Sequence, residues 1–148
     1  MTVTPTSTNI LLLVEDDLNL KDVLGMALED QGFKVVLADN GRKAIAELDA
    51  DGAQFKGVIT DIKLGAGPNG WDVGRRAREI LSGIPVVYMS GDSMHEWTVN
   101  GVPESVMLQK PFVMAQLITA ITTLLNQAGS AAALSDAMTH DKNTKPKD

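Results

Sequence analysis

The sequence of 148 residues predicts an α/β domain: a doubly wound, five-stranded parallel sheet with helices on both faces. Two observations carry this expectation. Short apolar runs of strand length alternate, one by one, with segments whose apolar residues recur at helical spacing, and strands joined by single helices pair in parallel through right-handed crossovers. The first run, Ile10 to Val14, is apolar without interruption, as in a strand covered on both faces.

Each element has its own signal. Ile10–Val14 is the first strand, ended abruptly by acids. Leu20, Val23, Leu24, Ala27 and Leu28 then recur at helical spacing, and Gln31-Gly32 supplies the stop of helix 1. Phe33–Ala38 is strand 2, and Gly41 to about Asp51 is helix 2, with Ala44, Ile45 and Leu48 facing inward. Gly57–Thr60 is strand 3. After a glycine-rich loop, Trp71–Leu81 is helix 3, and Gly83-Ile84-Pro85 turns the chain into strand 4, Val86–Met89. Ser93–Val99 has room for a short helix 4, Ser105–Leu108 is strand 5, and Val113–Asn126 is helix 5, with Leu117, Ile118, Ile121, Leu124 and Leu125 inward.

Gly129 is expected to end helix 5. The predicted organisation is therefore a flexible leader at 1–8, one domain at 9–127 and a flexible polar tail at 128–148, where large apolar groups are too few to offset the entropy of ordering.

Composition narrows the function. With 44% hydrophobic residues the chain can build one core, and a net charge of -6 argues against the basic face of a nucleic-acid binder, so direct DNA binding is not expected. The absence of cysteine excludes disulfides, thiolate metal sites and cysteine nucleophiles. The leader lacks the basic and apolar regions of a secretion signal, and the apolar runs are far shorter than the roughly 18 residues of a membrane span. A cytoplasmic protein is expected.

In open α/β sheets, ligands bind outside the carboxyl ends of the strands. Those ends carry chemistry here: Glu15-Asp16-Asp17 after strand 1, Asp61 after strand 3, Ser90-Gly91 after strand 4 and Lys110-Pro111 after strand 5. Any one acid after a strand is most simply a helix cap, and Asp17 is read as one. Two acids, a third acid, a hydroxyl and a lysine at four such ends exceed what capping explains. If strand 3 lies on the far side of strand 1 from strand 2, then Glu15, Asp16 and Asp61 converge at the switch-point crevice. Their mutual repulsion then calls for a proton or a hard cation, and Mg²⁺ suits oxygen ligands.

The set Leu13-Val14-Glu15-Asp16-Asp17, Val58-Ile59-Thr60-Asp61, Met89-Ser90-Gly91 and Lys110-Pro111-Phe112 resembles, in type, order and strand context, the receiver domain of bacterial two-component response regulators. The resemblance covers about residues 9–127. It implies the receiver (flavodoxin-like) fold with sheet order 2-1-3-4-5. It also implies Asp61 as the phosphoacceptor, Mg²⁺ held by Glu15 (through water), Asp16, Asp61 and the backbone carbonyl of Lys63, and Ser90 and Lys110 holding phosphate oxygens. The implied partners are a sensor histidine kinase or a histidine phosphotransfer protein, and a downstream protein target. The implied activity is Mg²⁺-dependent self-phosphorylation from a donor and self-dephosphorylation, without a separate enzymatic function. Output is expected from the face formed by helix 4, strand 5 and helix 5, including Trp97, Val102, Met114 and Gln116, and a homodimer through that face is a further expectation.

Two positions depart from the family pattern. Where many relatives carry an aromatic residue three before the lysine, this chain has Met107, so Tyr88 or Trp97 is expected to carry the rearrangement that follows Ser90. The loop Leu64–Gly70 runs longer than is common, and its Gly67-Pro68 and Asn69-Gly70 pairs read as turns. Trp71 is expected to anchor helix 3. Arg75, Arg76 and Arg78 are read as a solvated basic face and His95 and His140 as surface residues.

Other readings share the sheet. A flavin-type binder needs a glycine- or hydroxyl-rich phosphate loop after strand 1, where this chain is acidic. An aspartyl phosphatase wants a second acid two residues past its nucleophile, whereas Asp61 is followed by Ile62-Lys63. The remaining alternatives are a receiver-like adaptor that takes no phosphate and the receiver part of a hybrid histidine kinase. The start at Met1 and the polar tail favour a stand-alone protein.

Overall fold

The computed structural model describes residues 9–144, with side chains described as far as Gly129; the predicted leader and residues 145–148 of the predicted tail lie outside the described residues. In chain order the elements are β1 (Ile10–Val14), α1 (Leu18–Asp30), β2 (Lys34–Ala38), α2 (Gly41–Asp51), β3 (Phe55–Asp61), α3 (Gly70–Ile80), β4 (Val86–Ser90), α4 (Trp97–Asn100), β5 (Val106–Gln109) and α5 (Met114–Thr144). Short 3₁₀ turns at Gly52–Gln54 and Met94–Glu96 precede β3 and α4.

All five strands are parallel and lie in the order β2-β1-β3-β4-β5. Strand alternation divides the core between the two faces. Leu12, Val14, Val58, Val86 and Tyr88 pack with Ala44, Leu48, Trp71, Val73 and Ala77 of α2 and α3. Leu11, Leu13, Ile59, Val87 and Met89 pack with Leu24 and Leu28 of α1 and with Leu117, Ile121 and Leu124 of α5. Each such aliphatic side chain contributes roughly 1.5–3 kcal/mol by leaving water.

Helix starts follow the caps written in the sequence. The side chains of Asp17, Asn40 and Asn69 accept the N–H groups of Leu20, Lys43 and Asp72, and Asp72 returns a bond to the Asn69 N–H to complete a capping box.

Three expectations need correction. Val23, expected among the apolar positions of helix 1, is 52% exposed, whereas Lys21 and Gly25 join Leu24 and Leu28 on the buried stripe. Lys21 is buried along its stem and pairs with Asp39 at the end of β2. Helix 4 is split: only Trp97–Asn100 is α-helical, after the 3₁₀ turn.

The third correction concerns Gly129, where α5 does not stop but continues to Thr144. Glycine ends a helix efficiently when it turns left-handed, as Gly32 does after α1 with φ of 96°; Gly129 is not in that region. In a helical conformation glycine costs only about 1 kcal/mol relative to alanine, and the Ala131–Leu134 run that follows is built of strong helix formers.

Candidate functional site

The order of the sheet brings the ends of β1 and β3 side by side. Val14 pairs with Thr60, so Glu15 and Asp61 leave the sheet together, and Asp16 follows at the rim. One carboxylate oxygen from each of Glu15, Asp16 and Asp61 can be chosen so that all lie within 4.8 Å of one another. Glu15 is 1% exposed and Asp61 8%, while Asp16 opens to solvent. The convergence expected at the crevice is therefore present.

Lys110, the residue after β5, reaches across to this group. Its Nζ donates to Glu15 Oε1 and to Asp61 Oδ2, each at 3.0 Å. The second oxygen of each acid is held by backbone: Asp17 N–H donates to Glu15 Oε2 at 3.1 Å and Ile62 N–H to Asp61 Oδ1 at 3.0 Å. Both acids are thus oriented before any ligand arrives. The Lys110–Pro111 peptide is cis.

Electrostatics follow from burial and neighbours. Burial, then the Asp61 charge, pushes the Glu15 carboxyl up to about 7, against the opposing pull of Lys110 and the Asp17 N–H. Burial alone would lower the Lys110 ammonium, but its bonds to Asp61 and Glu15 outweigh that and raise it. A carboxyl whose pKa is raised by burial and by a neighbouring acid marks a site short of positive charge, despite one ammonium. Three carboxylates offering hard oxygen donors fit a small divalent cation such as Mg²⁺.

Gly70 fixes the other side of Asp61. Its N–H donates to Ile62 O at 2.8 Å, and a β carbon there would lie 2.1 Å from the Asp61 carbonyl oxygen. The loop expected to be a longer turn passes through left-handed Gly65 and Gly67 and rests against the start of α2, where a β carbon on Gly41 would meet the Pro68 carbonyl oxygen at 2.1 Å.

The remaining predicted residues stand as follows. Ser90, the last residue of β4, is buried, and its hydroxyl oxygen accepts the N–H groups of Asp92 at 3.2 Å and Ser93 at 2.9 Å. The Lys63 side chain pairs with Asp92 at 2.6 Å. Met107 is buried beside Tyr88, its partner in the β4–β5 register. Tyr88 is fully buried, its ring tilted 57° against Trp71 with centroids 4.8 Å apart, and its hydroxyl oxygen accepts the Val102 N–H at 3.1 Å. Trp71 anchors α3 as expected. Trp97 is half-buried, and its indole N–H donates to Ser105 Oγ at 2.9 Å.

Among the ion pairs that escaped the reading of the sequence, two lie at the ends of strands. Asp92, which with Lys63 links the loops after β3 and β4, carried a signal: it is an acid two residues past a strand end. Lys21 with Asp39 carried none, because a lysine within an amphipathic helix reads as solvent-facing. Arg75 is exposed and Arg76 partly so, as expected of a solvated arginine face, but the face also makes unforeseen bonds: Arg75 donates to Asn100 O and the half-buried Arg78 to Ile84 O and Pro103 O.

Residues 11–122 match the response regulator receiver domain family. A solved response regulator receiver protein from Sinorhizobium medicae WSM419 is 45% identical, covering 82% of this chain and 97% of that one, with a TM-score of 0.79. Among curated proteins, the probable transcriptional regulatory protein SilR of Salmonella typhimurium and the transcriptional regulatory protein CusR of Escherichia coli K12 are each 34% identical over 122 residues, 81% of this chain. The chain spans about half the length of these relatives, 52% in both. The chemotaxis protein CheY4 of Vibrio cholerae, 21% identical, shares the fold with a TM-score of 0.68 over 79% of this chain and 98% of that one. A match across most of the domain and the strand-end acids with their bridging lysine lead to one assignment: the chain belongs to the family of response regulator receiver domains.

Proposed function

We propose that this receiver domain accepts a phosphoryl group on the Asp61 carboxylate, in a Mg²⁺-dependent reaction, from a phosphohistidine of a sensor kinase or phosphotransfer protein. The observation that carries the reading is Lys110 Nζ standing 3.0 Å from both Asp61 and Glu15 beside a three-carboxylate cluster.

An aspartate is ionised at neutral pH, so it needs no general base to act as a nucleophile. An Asp61 oxygen forms the new bond to phosphorus while the phosphorus–nitrogen bond of the donor breaks, the electron pair returning to that ring nitrogen; the proton already carried by the other nitrogen of the phosphohistidine ring leaves the departing imidazole neutral. The Ile62 N–H and Lys110 keep the carboxylate aimed, and Lys110 offers its ammonium to the incoming oxygens. Glu15, Asp16, Asp61 and the Lys63 carbonyl are the residues that would hold Mg²⁺, which when bound offsets the charge gathering on the transferred group. Ser90, at the adjacent strand end, is the group that would contact a phosphoryl oxygen and carry the change to the loop after β4.

Access supports a protein donor. An apolar recess lined by Leu20, Pro111, Phe112 and Met114 opens beside Lys110, and Leu18 nearby is 61% exposed. A helix presenting a phosphohistidine can seat apolar side chains there while its phosphoryl group meets Asp61. Signalling in the cytoplasm through a protein target on the α4, β5 and α5 face completes the proposal.

The test is intact-protein mass after incubation with Mg²⁺ and a small acyl phosphate donor. One added phosphoryl group, absent in Asp61→Asn and without Mg²⁺, supports the switch. An unmodified wild-type protein at saturating donor supports a phosphate-free adaptor instead.

A further inference from the structure

The segment following β4 is held very differently at its two ends. At the near end, the turn after Ser90 is held by polar contacts: Ser90 Oγ accepts the N–H groups of Asp92 and of the buried Ser93, and the exposed Lys63–Asp92 ion pair ties the turn to the loop after β3. Neither the 3₁₀ turn Met94–Glu96 nor α4 contributes a buried residue. Little apolar burial therefore ties residues 91–96 to the domain, and segments of that kind open at low free-energy cost.

The far end, Asn100–Ser105, is gripped from two neighbouring elements. From α3, Arg75 Nη1 donates to Asn100 O at 3.2 Å and Arg78 Nη1 to Pro103 O at 2.6 Å, while Arg78 Nε anchors on Ile84 O at 2.7 Å. From β4, the buried Tyr88 hydroxyl takes the Val102 N–H. Within the segment, Ser105 Oγ donates to Val102 O at 2.7 Å and accepts the Trp97 indole N–H. Val102, Ser105 and Met107 are buried. The grip also holds Glu104 in the left-handed region, φ of 59°, a conformation a glutamate adopts only where its surroundings impose it.

Tyr88 is tightly enclosed within this arrangement. Its ring lies against Trp71, and a β carbon on Gly74 would stand 2.2 Å from its hydroxyl, so α3 closes over it. The interior beside Met107 is already filled by a side chain with a fixed hydrogen bond.

We propose that Asn100–Ser105 is a fixed clamp, held by Arg75, Arg78 and Tyr88, about which the Ser90-tethered turn 91–96 moves, with Trp97, bonded to Ser105, as the hinge between them. This rests on the phosphoacceptor reading of Asp61 for its trigger, though not for the clamp. Arg78 is then a positioning residue for the switch, and within the β4–β5 connection the movement is confined to the first half, which feeds the α4 side of the proposed output face.

Peptide-resolved hydrogen exchange decides this, using the full chain with and without Mg²⁺ and beryllofluoride. In the unliganded protein, amides 100–105 should exchange at least tenfold more slowly than 91–96, and Arg78→Gln should accelerate 100–105 at least tenfold while leaving 91–96 within threefold. Arg75→Gln, a milder loss, should give the same pattern at smaller size. With beryllofluoride bound, 91–96 should change at least tenfold and 100–105 less than threefold. Equal change in the two segments, or no effect of Arg78→Gln on 100–105, overturns the clamp. Failure of beryllofluoride to protect the amides around Asp61 instead counts against the phosphoacceptor reading, and the arginine variants still decide the clamp.

Discussion

Gly70 lies so close to Asp61 that a β carbon on it would stand 2.1 Å from the Asp61 carbonyl oxygen. This contact joins the first turn of α3 to the last residue of β3, and it involves backbone, which cannot swing aside. Gly70→Ala should therefore destabilise the domain by about 1–3 kcal/mol through overpacking, read as a lowered urea midpoint with unchanged slope. It should also slow phosphoryl acceptance, because the displaced strand end carries Asp61, the proposed nucleophile. A variant with wild-type midpoint and rate would remove Gly70 from the account.

Lys110 pulls the Glu15 carboxyl down while burial and Asp61 push it up. Lys110→Ala should therefore move Glu15 further above 7, visible as a later titration of its carboxyl carbon by NMR. Phosphoryl acceptance should fall steeply in the same variant, since the ammonium facing Asp61 is gone. A Glu15 titration that stays put or moves down would show that the bond at 3.0 Å carries no charge coupling.

Stability should respond to pH in a defined direction without metal. The folded-state value of Glu15, about 7, lies above its ordinary 4.5, so the folded form binds the extra proton more readily. That contribution is fully present below about 4.5 and is lost as pH rises through about 7. Thermal unfolding in EDTA should show this group's share of stability falling between pH 5 and 7.5. Added Mg²⁺ should raise the midpoint more at pH 7.5 than at pH 5.5, because protons compete for Glu15 at the lower pH. A larger Mg²⁺ gain at pH 5.5 would contradict the assignment of Glu15 to the cation site.

Tyr88→Phe keeps the ring against Trp71 and removes only the acceptor of the Val102 N–H. Leaving that N–H unpaired in a buried position should cost about 1–3 kcal/mol in urea unfolding. A neutral substitution would mean the hydroxyl is not part of what holds the loop.

Much of this was legible in the sequence. The continuous apolar run Ile10–Val14 and the single-helix spacing between strands gave the parallel sheet, because a strand covered on both faces has no polar alternation to confuse it. The acids and Lys110 were legible because functional groups in such sheets sit directly after strands. What stayed hidden depended on distance in three dimensions. The grip of Arg78 on Pro103 joins residues on separate elements, with no periodicity to announce it. The run of α5 through Gly129 was missed because a glycine stop depends on the φ it adopts, and Gly32 and Gly129 look alike in sequence. Val23 is 52% exposed because the buried stripe of α1 runs through positions 21, 24, 25 and 28, and the presence of Lys21 on it, paired with Asp39, is not something apolar spacing reports.

The most direct measurement is the mass of the intact protein after exposure to Mg²⁺ and an acyl phosphate donor, for wild type and Asp61→Asn side by side. The account predicts a single phosphoryl adduct on wild type only, lost when Mg²⁺ is chelated. An adduct that persists in Asp61→Asn, or none on wild type at saturating donor, would contradict it.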